Sequence, residues 1–110
     1  MLIVFANTKM EKLFNSEKDL TRKYGQQAKK IRVRMAVLRA AANLARVSNL
    51  PPERCHELSE GRAGQFAVDL MHPFRLVFEP ADEPVPRKAD GGIDLALVTK
   101  IRILSVEDYH

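Results

Sequence analysis

The sequence predicts an α+β fold, with an N-terminal strand and helices packed on a small, mainly antiparallel sheet in one domain spanning 1–110. Apolar residues recur at helical spacing in the first half of the chain and alternate with polar ones in the second half. Pro51-Pro52 separates the two regimes, because proline lacks the amide donor that a continuing helix needs. With 110 residues, 45% hydrophobic and 29% charged, the chain has the composition of a folded soluble domain with one modest core.

Leu2 to Phe5 is a β-favouring run and the expected first strand. Thr8-x-x-Glu11 matches a capping box and starts a short helix to about Asn15, and Ser16-x-x-Asp19 starts a second, which Gly25 ends or bends. A third helix restarts near Gln26, where Ala28, Ile31, Met35, Leu38, Ala42 and Ala45 line one apolar face. Beyond the proline pair, Arg54 to Leu58 makes a short strand and Glu60-Gly61-Arg62-Ala63-Gly64 a turn. Phe66, Val68 and Leu70 alternate with polar or small neighbours, and Phe74, Leu76 and Phe78 repeat the pattern after the His72-Pro73 turn. Arg75, Val77 and Glu79 therefore fall on the face away from Phe74 and Leu76. Pro80 through Gly92 reads as a long loop with too few apolar residues to form an element, and as a segment expected to move. Val98 to Val106 is the last strand. Its apolar positions slip from Ile101 and Ile103 to Leu104 and Val106, which predicts a bulge. Helices on one face of such a sheet leave the other face partly open for a ligand.

Charge is divided unevenly. From Lys9 to Arg46 there are eleven basic residues against three acidic, a net of +8, while the rest of the chain carries −4. The basic half is a plausible footprint for a phosphate backbone, although a solvated helical face is the more ordinary explanation. Cys55 is the only cysteine, which excludes an intrachain disulfide and a thiolate metal cluster. Leu2 to Phe5 is too short for a signal-peptide core or a bilayer span, so a cytoplasmic protein without membrane association is expected.

No Walker-type loop, HExxH, GxSxG or zinc-ligand spacing is present, so any chemistry must come from scattered residues. Histidine is the side chain whose ordinary chemistry suits proton transfer at neutral pH, which makes His56 a candidate, though lone strand histidines are more often structural. Arg75 either pairs with a carboxylate such as Asp69 or Asp108 or receives a phosphate on its planar fork. Arg62, in its glycine-flanked turn, could meet an RNA phosphate, although an exposed turn residue of this kind is more often simply solvated. Asp108-Tyr109-His110 joins an acid, a phenol and an imidazole, either as a frayed tail or as a continuation of the last strand. His72 reads as a turn residue and Cys55 as a packed side chain.

Taken together, Arg54-Cys55-His56-Glu57-Leu58, Gly64 to Leu70, His72-Pro73-Phe74-Arg75-Leu76-Val77-Phe78-Glu79-Pro80 and the closing Glu107-Asp108-Tyr109-His110 resemble the HigB-type toxins of the RelE/ParE superfamily. The resemblance covers nearly the whole chain, and the loop from Pro84 to Asp94 resembles a longer subgroup described as plasmid-maintenance killer proteins. It implies a microbial RNase-like fold and a toxin that enters the ribosomal A site and cuts messenger RNA. It also implies a cognate antitoxin, with a helix-turn-helix DNA-binding domain as the expected form. Cleavage of that class proceeds by 2′-hydroxyl attack on the adjacent phosphate and calls for no metal and no cofactor. His56 and His110 match the family's catalytic histidines, Asp108 and Tyr109 the residues that assist them, and Arg75 the arginine that contacts the scissile phosphate.

The chain departs from the family at Ser59-Glu60-Gly61-Arg62-Ala63, where members often carry a lysine and further basic residues. That difference points to weaker phosphate binding. The loop from Pro80 to Gly92 is absent from the short forms. Two other functions fit the same fold: a ParE-like toxin that inhibits DNA gyrase, and a non-catalytic module that binds RNA or an antitoxin.

Overall fold

The computed structural model describes residues 1–108, so the expectations placed on Tyr109 and His110 lie outside the described residues. The chain runs β1 (Leu2–Phe5), α1 (Thr8–Phe14), α2 (Glu17–Tyr24), α3 (Gln27–Ala40), β2 (His56–Glu57), β3 (Phe66–Asp69), β4 (Phe74–Pro80) and β5 (Lys100–Asp108). Among the described residues the strands form one sheet in the order β1-β5-β4-β3-β2. The β1–β5 pair is parallel and the other pairs are antiparallel, giving the α+β architecture expected from the periodicities. No helix among the described residues is long and apolar enough to cross a membrane.

Local chemistry sets the helix ends. Asn7, one residue before the expected cap, starts α1: its side chain accepts from the Met10 amide at 2.8 Å. Ser16 accepts from the Asp19 amide at 3.1 Å, as its spacing predicts. Gly25, at φ +56°, closes α2 in a conformation that a side chain would disfavour. The third helix is shorter than its apolar stripe suggests. Ala41 is extended, so Ala42 and Ala45 lie beyond the helix and are exposed, while Leu44 and Val47 turn inward instead. The Met1 ammonium donates to the carbonyls of Leu38, Arg39 and Ala41, groups that the helix end leaves without intrahelical partners.

Leu20, Ile31, Met35 and Leu38 from the helices meet Phe66, Leu76, Phe78, Ile101 and Ile103 from the sheet. Full burial of a side chain such as Ile31 or Phe78 contributes roughly 1.5–3 kcal/mol, so this layer supplies most of the cohesion. The Phe66 and Phe78 rings stack with centroids 6.1 Å apart. The opposite sheet face carries a small apolar floor of Leu58, Ala67 and Val77 with Leu104 against it, and among the described residues no helical side chain joins it.

The loop after β4 is tied down by hydrogen bonds rather than loose. Asp82 accepts from the Thr99 amide and hydroxyl and from the Lys100 amide. Arg87 and Ile93 bridge, the Lys88 amide donates to Gly92 at 2.7 Å, and Ile93 is buried. Too few apolar residues for a helix or strand therefore do not leave this loop unanchored, because polar side chains hold it and Ala81, Val85 and the adjoining Ile93 pack inward.

One basic residue of the first half is structural. Arg34 is only 4% exposed. Its Nε donates to the Asp69 carbonyl at 2.7 Å, one Nη to the Pro52 carbonyl at 3.2 Å, and the other lies 3.8 Å from the Glu53 carboxylate. It fastens α3 to the segment before β2 and to the end of β3. Removing one member of a buried ion pair strands the other, so Arg34→Ala should lower stability by about 3 kcal/mol. The exposed Arg39→Ala should change it by less than about 0.5 kcal/mol. Urea denaturation of both variants measures the contrast, and equal losses would refute a special role for Arg34.

Candidate active site

The open face of the sheet is organised in cross-strand rows. His56 pairs with Ala67, Ala67 with Val77, and Val77 with Ser105, so all four share a face. One step along, Asp69 pairs with Arg75, and Arg75 with Glu107. The register shifts between Val77 and Phe78, opposite Ser105 and Ile103, which leaves Leu104 as the extra residue of a bulge. Ahead of the bulge Ile101 and Ile103 face the core; beyond it Val106 does, and Ser105 and Glu107 join the open face. The expected slip in alternation thus decides which residues of β5 reach the site.

Three of the candidates come together. His56, Arg62 and Arg75 line one cleft of about 270 Å³, with Glu57, Leu58 and Glu60 also on its walls. His56 is exposed, and its Nδ1 lies 2.7 Å from the Arg54 carbonyl. A carbonyl only accepts, so Nδ1 is the donor, and in the neutral ring this tautomer leaves the lone pair on Nε2. Arg54 itself is held at φ +47° and lies 3.3 Å from Asp69. A non-glycine residue in that region costs about 1 kcal/mol, and here the cost goes into aiming the carbonyl that fixes the His56 ring. Gly64, at φ +90°, ends the turn that carries Arg62, and its amide donates to Glu57 at 2.9 Å.

Arg62 is more engaged than its turn position suggests. Its two Nη atoms donate to the two Glu107 oxygens at 2.7 and 2.8 Å, and its Nε donates to Gln65 at 2.9 Å. Arg75 lies 3.7 Å from the same carboxylate. Among the described residues the carboxylate that pairs with Arg75 is thus Glu107, while Asp69 turns to Arg54. Ser105 adds a hydroxyl bond to Glu107 at 2.6 Å. The bidentate bond from Arg62 chiefly holds the Glu107 carboxyl down, to about 2, against a burial effect that raises it.

Among the described residues Asp108 does not line this cleft. It pairs with Phe74, whose ring packs on the core, so it falls on the other face of β5 at the exposed strand end. Tyr109 and His110 lie outside the described residues. The residue that sequence reasoning passed over is Glu107. The signal that could have found it is the bulge, since a one-residue slip turns odd-numbered positions after Leu104 away from the core.

A second groove of about 400 Å³ adjoins the far side of His56, walled by Leu44, Val47, Phe66 and Leu95 with Ser48 and Asn49 at its polar edge. Cys55 also lines it, but burial pushes its thiol up to about 11, which argues against a nucleophilic role at neutral pH. Among the described residues no three His, Cys, Asp or Glu side chains converge as metal ligands. No protein-family model matches this chain, and no curated protein matches it either.

The depressed Glu107 carboxyl makes a forecast with a definite sign. Its native value lies below the ordinary 4.5, so its ion pairs stabilise the fold fully above that range, and the contribution disappears as pH falls towards 2. The urea midpoint of Glu107→Gln should lie below that of the parent protein above pH 5, with the gap closing towards pH 2. A gap independent of pH would show that the carboxylate's charge contributes nothing.

Proposed function

We propose that this chain is the toxin of a toxin–antitoxin pair and cuts messenger RNA in the ribosomal A site. The observation that carries the reading is the cleft in which one imidazole, held through Nδ1, stands beside two guanidiniums on an open sheet face. In the proposed reaction His56 withdraws the 2′-hydroxyl proton, the 2′-oxygen bonds to phosphorus, and the 5′-oxygen of the next nucleotide leaves with a proton. The products are a 2′,3′-cyclic phosphate and a 5′-hydroxyl end. Arg75, with Arg62 beside it, offsets the charge of the crowded phosphorane.

The resemblance at Asp108-Tyr109-His110 supplies the second imidazole, which would protonate the leaving oxygen, and two residues that assist it. The adjoining groove offers an apolar wall against which a base of the message would lie. The cognate antitoxin and the ribosome belong to the same proposal, and they make it a cytoplasmic one. Basic side chains of the helical half, including Lys9, Lys12, Arg22 and Lys23 around the α1–α2 groove, suit ribosomal phosphates.

A second reading, a binding module without chemistry such as a gyrase inhibitor, draws on the Glu107 ion pairs. A guanidinium already satisfied by a carboxylate is also what a purely structural network contains.

Primer extension after brief expression without antitoxin, together with cleavage on programmed ribosomes, separates the two. The nuclease reading expects cuts within translated codons that end in cyclic phosphate. It also expects His56→Ala, Arg75→Ala and deletion of His110 each to remain folded and to lose about 10²- to 10⁴-fold in single-turnover rate. Intact transcripts with inhibited supercoiling would replace it with the gyrase reading. Full activity in the folded His110 deletion would remove that residue from the mechanism.

A further inference from the structure

We propose that Glu107 is a resident counter-anion: its carboxylate occupies the place where Arg62 and Arg75 receive a phosphodiester, and it has to give way before RNA can bind. The inference deepens the proposed function and rests on the reading that this cleft takes a phosphate.

Geometry is the first support. An arginine fork presents two parallel N–H groups, and the two oxygens of a carboxylate engage it in the same way as two non-bridging oxygens of a phosphate. Arg62 already holds Glu107 in that manner at 2.7 and 2.8 Å, with Arg75 at 3.7 Å from the shared oxygen. A phosphate and Glu107 cannot both take the fork edge of Arg62.

The surrounding groups support exchange rather than a sealed structural pair. Gln65 binds Arg62 through Nε, the one guanidinium nitrogen that Glu107 leaves, so the fork stays aimed when its partner changes. The side chains of Arg62 and Glu107 are 35% and 28% exposed, so an anion arriving from solvent meets the pair directly; Arg75, at 16%, lies deeper. The cleft carries Glu57 and Glu60, but Glu57 is bonded to the Gly64 amide, and among the described residues Glu107 is the acid within ion-pair reach of both arginines. A structural salt bridge would need none of these features and would lose its purpose if one partner left.

The two roles make opposite forecasts for one substitution. If Glu107 merely positions the arginines, Glu107→Gln loosens them and weakens anion binding. A counter-anion that competes with the ligand has the reverse effect, and its neutralisation tightens binding.

The probe is a short 2′-O-methyl RNA, which keeps every phosphodiester and cannot be cut by 2′-hydroxyl attack. Its affinity for the full chain is read by fluorescence polarisation at neutral pH, with circular dichroism confirming each fold. Glu107→Gln should bind about 10-fold more tightly than the parent protein. Glu107→Gln/Arg62→Gln should lose that gain. Ser105→Ala frees the carboxylate from its hydroxyl bond without changing charge, and should tighten binding by about 3-fold. Glu79→Gln makes the same charge change on the same sheet face, beside Arg102, and should alter affinity by less than about 2-fold.

Unchanged or weaker binding by folded Glu107→Gln overturns the proposal, as does an equal gain in Glu79→Gln, which would reflect added charge alone. If Glu107→Gln does not fold, unchanged or weaker binding by Ser105→Ala overturns it. Tighter binding by Glu107→Gln with no messenger cleavage by any variant would leave the counter-anion in place and remove the nuclease reading. Cleavage by the parent protein without the gain would do the reverse.

Discussion

The β4–β5 ladder, and the single extra residue within it, is the constraint on which both faces of the sheet depend. Ile101 and Ile103 must face the helices to close the core, and Val106 must do the same further along. Strict alternation cannot place all three, because the side-chain period of a strand is two. The bulge at Leu104 resolves the conflict and, as a consequence, delivers Ser105 and Glu107 to the uncovered face. Core packing and site assembly are therefore set by one irregularity. An alternation kept in register would have put Glu107 towards the helices, where an unpaired carboxylate is costly.

Arginine chemistry illustrates how position, rather than residue type, assigns a role. Arg34 on α3 is buried and satisfied by two carbonyls and a carboxylate, which makes it part of the scaffold that holds the segment before β2. Arg54 at the end of that segment holds Asp69, and its backbone carbonyl orients His56. Arg62 and Arg75, which line the half-open cleft, share Glu107. A chain of contacts thus runs from the helix layer through Arg34 and the 53–55 segment to the imidazole, so precision at His56 is inherited from the core. In this cleft the turn and the strand aim two guanidiniums at one carboxylate.

Much of this fold was legible in the sequence because its signals are local. Helical spacing in Ala28 to Leu38, alternation in Phe66 to Phe78 and the proline pair each report a preference that a short segment carries by itself. The errors are also local in kind. Asn7 outcompetes Thr8 as the cap, and Ala42 and Ala45 continue the apolar count after the backbone has left the helix. The loop after β4 is poor in apolar residues, yet Asp82 binds Thr99 and Lys100 across 17 and 18 positions, a partnership that no window of neighbouring residues reveals.

By itself the sequence determined the α+β class, the segments that become strands and helices, the exit of Arg75 from the core and the slip in β5. These follow from side-chain periodicity and backbone sterics, which act within a few residues. Only the tertiary structure decided that Arg62 meets Glu107 across 45 positions, that Asp108 falls on the other face of β5, and that His56 shares a cleft with Arg62 and Arg75. Those outcomes depend on strand order and register, which distant segments set jointly by burying one common core. The slip in β5 turns Glu107 away from the core, but only the strand order and register bring it to Arg62 and Arg75.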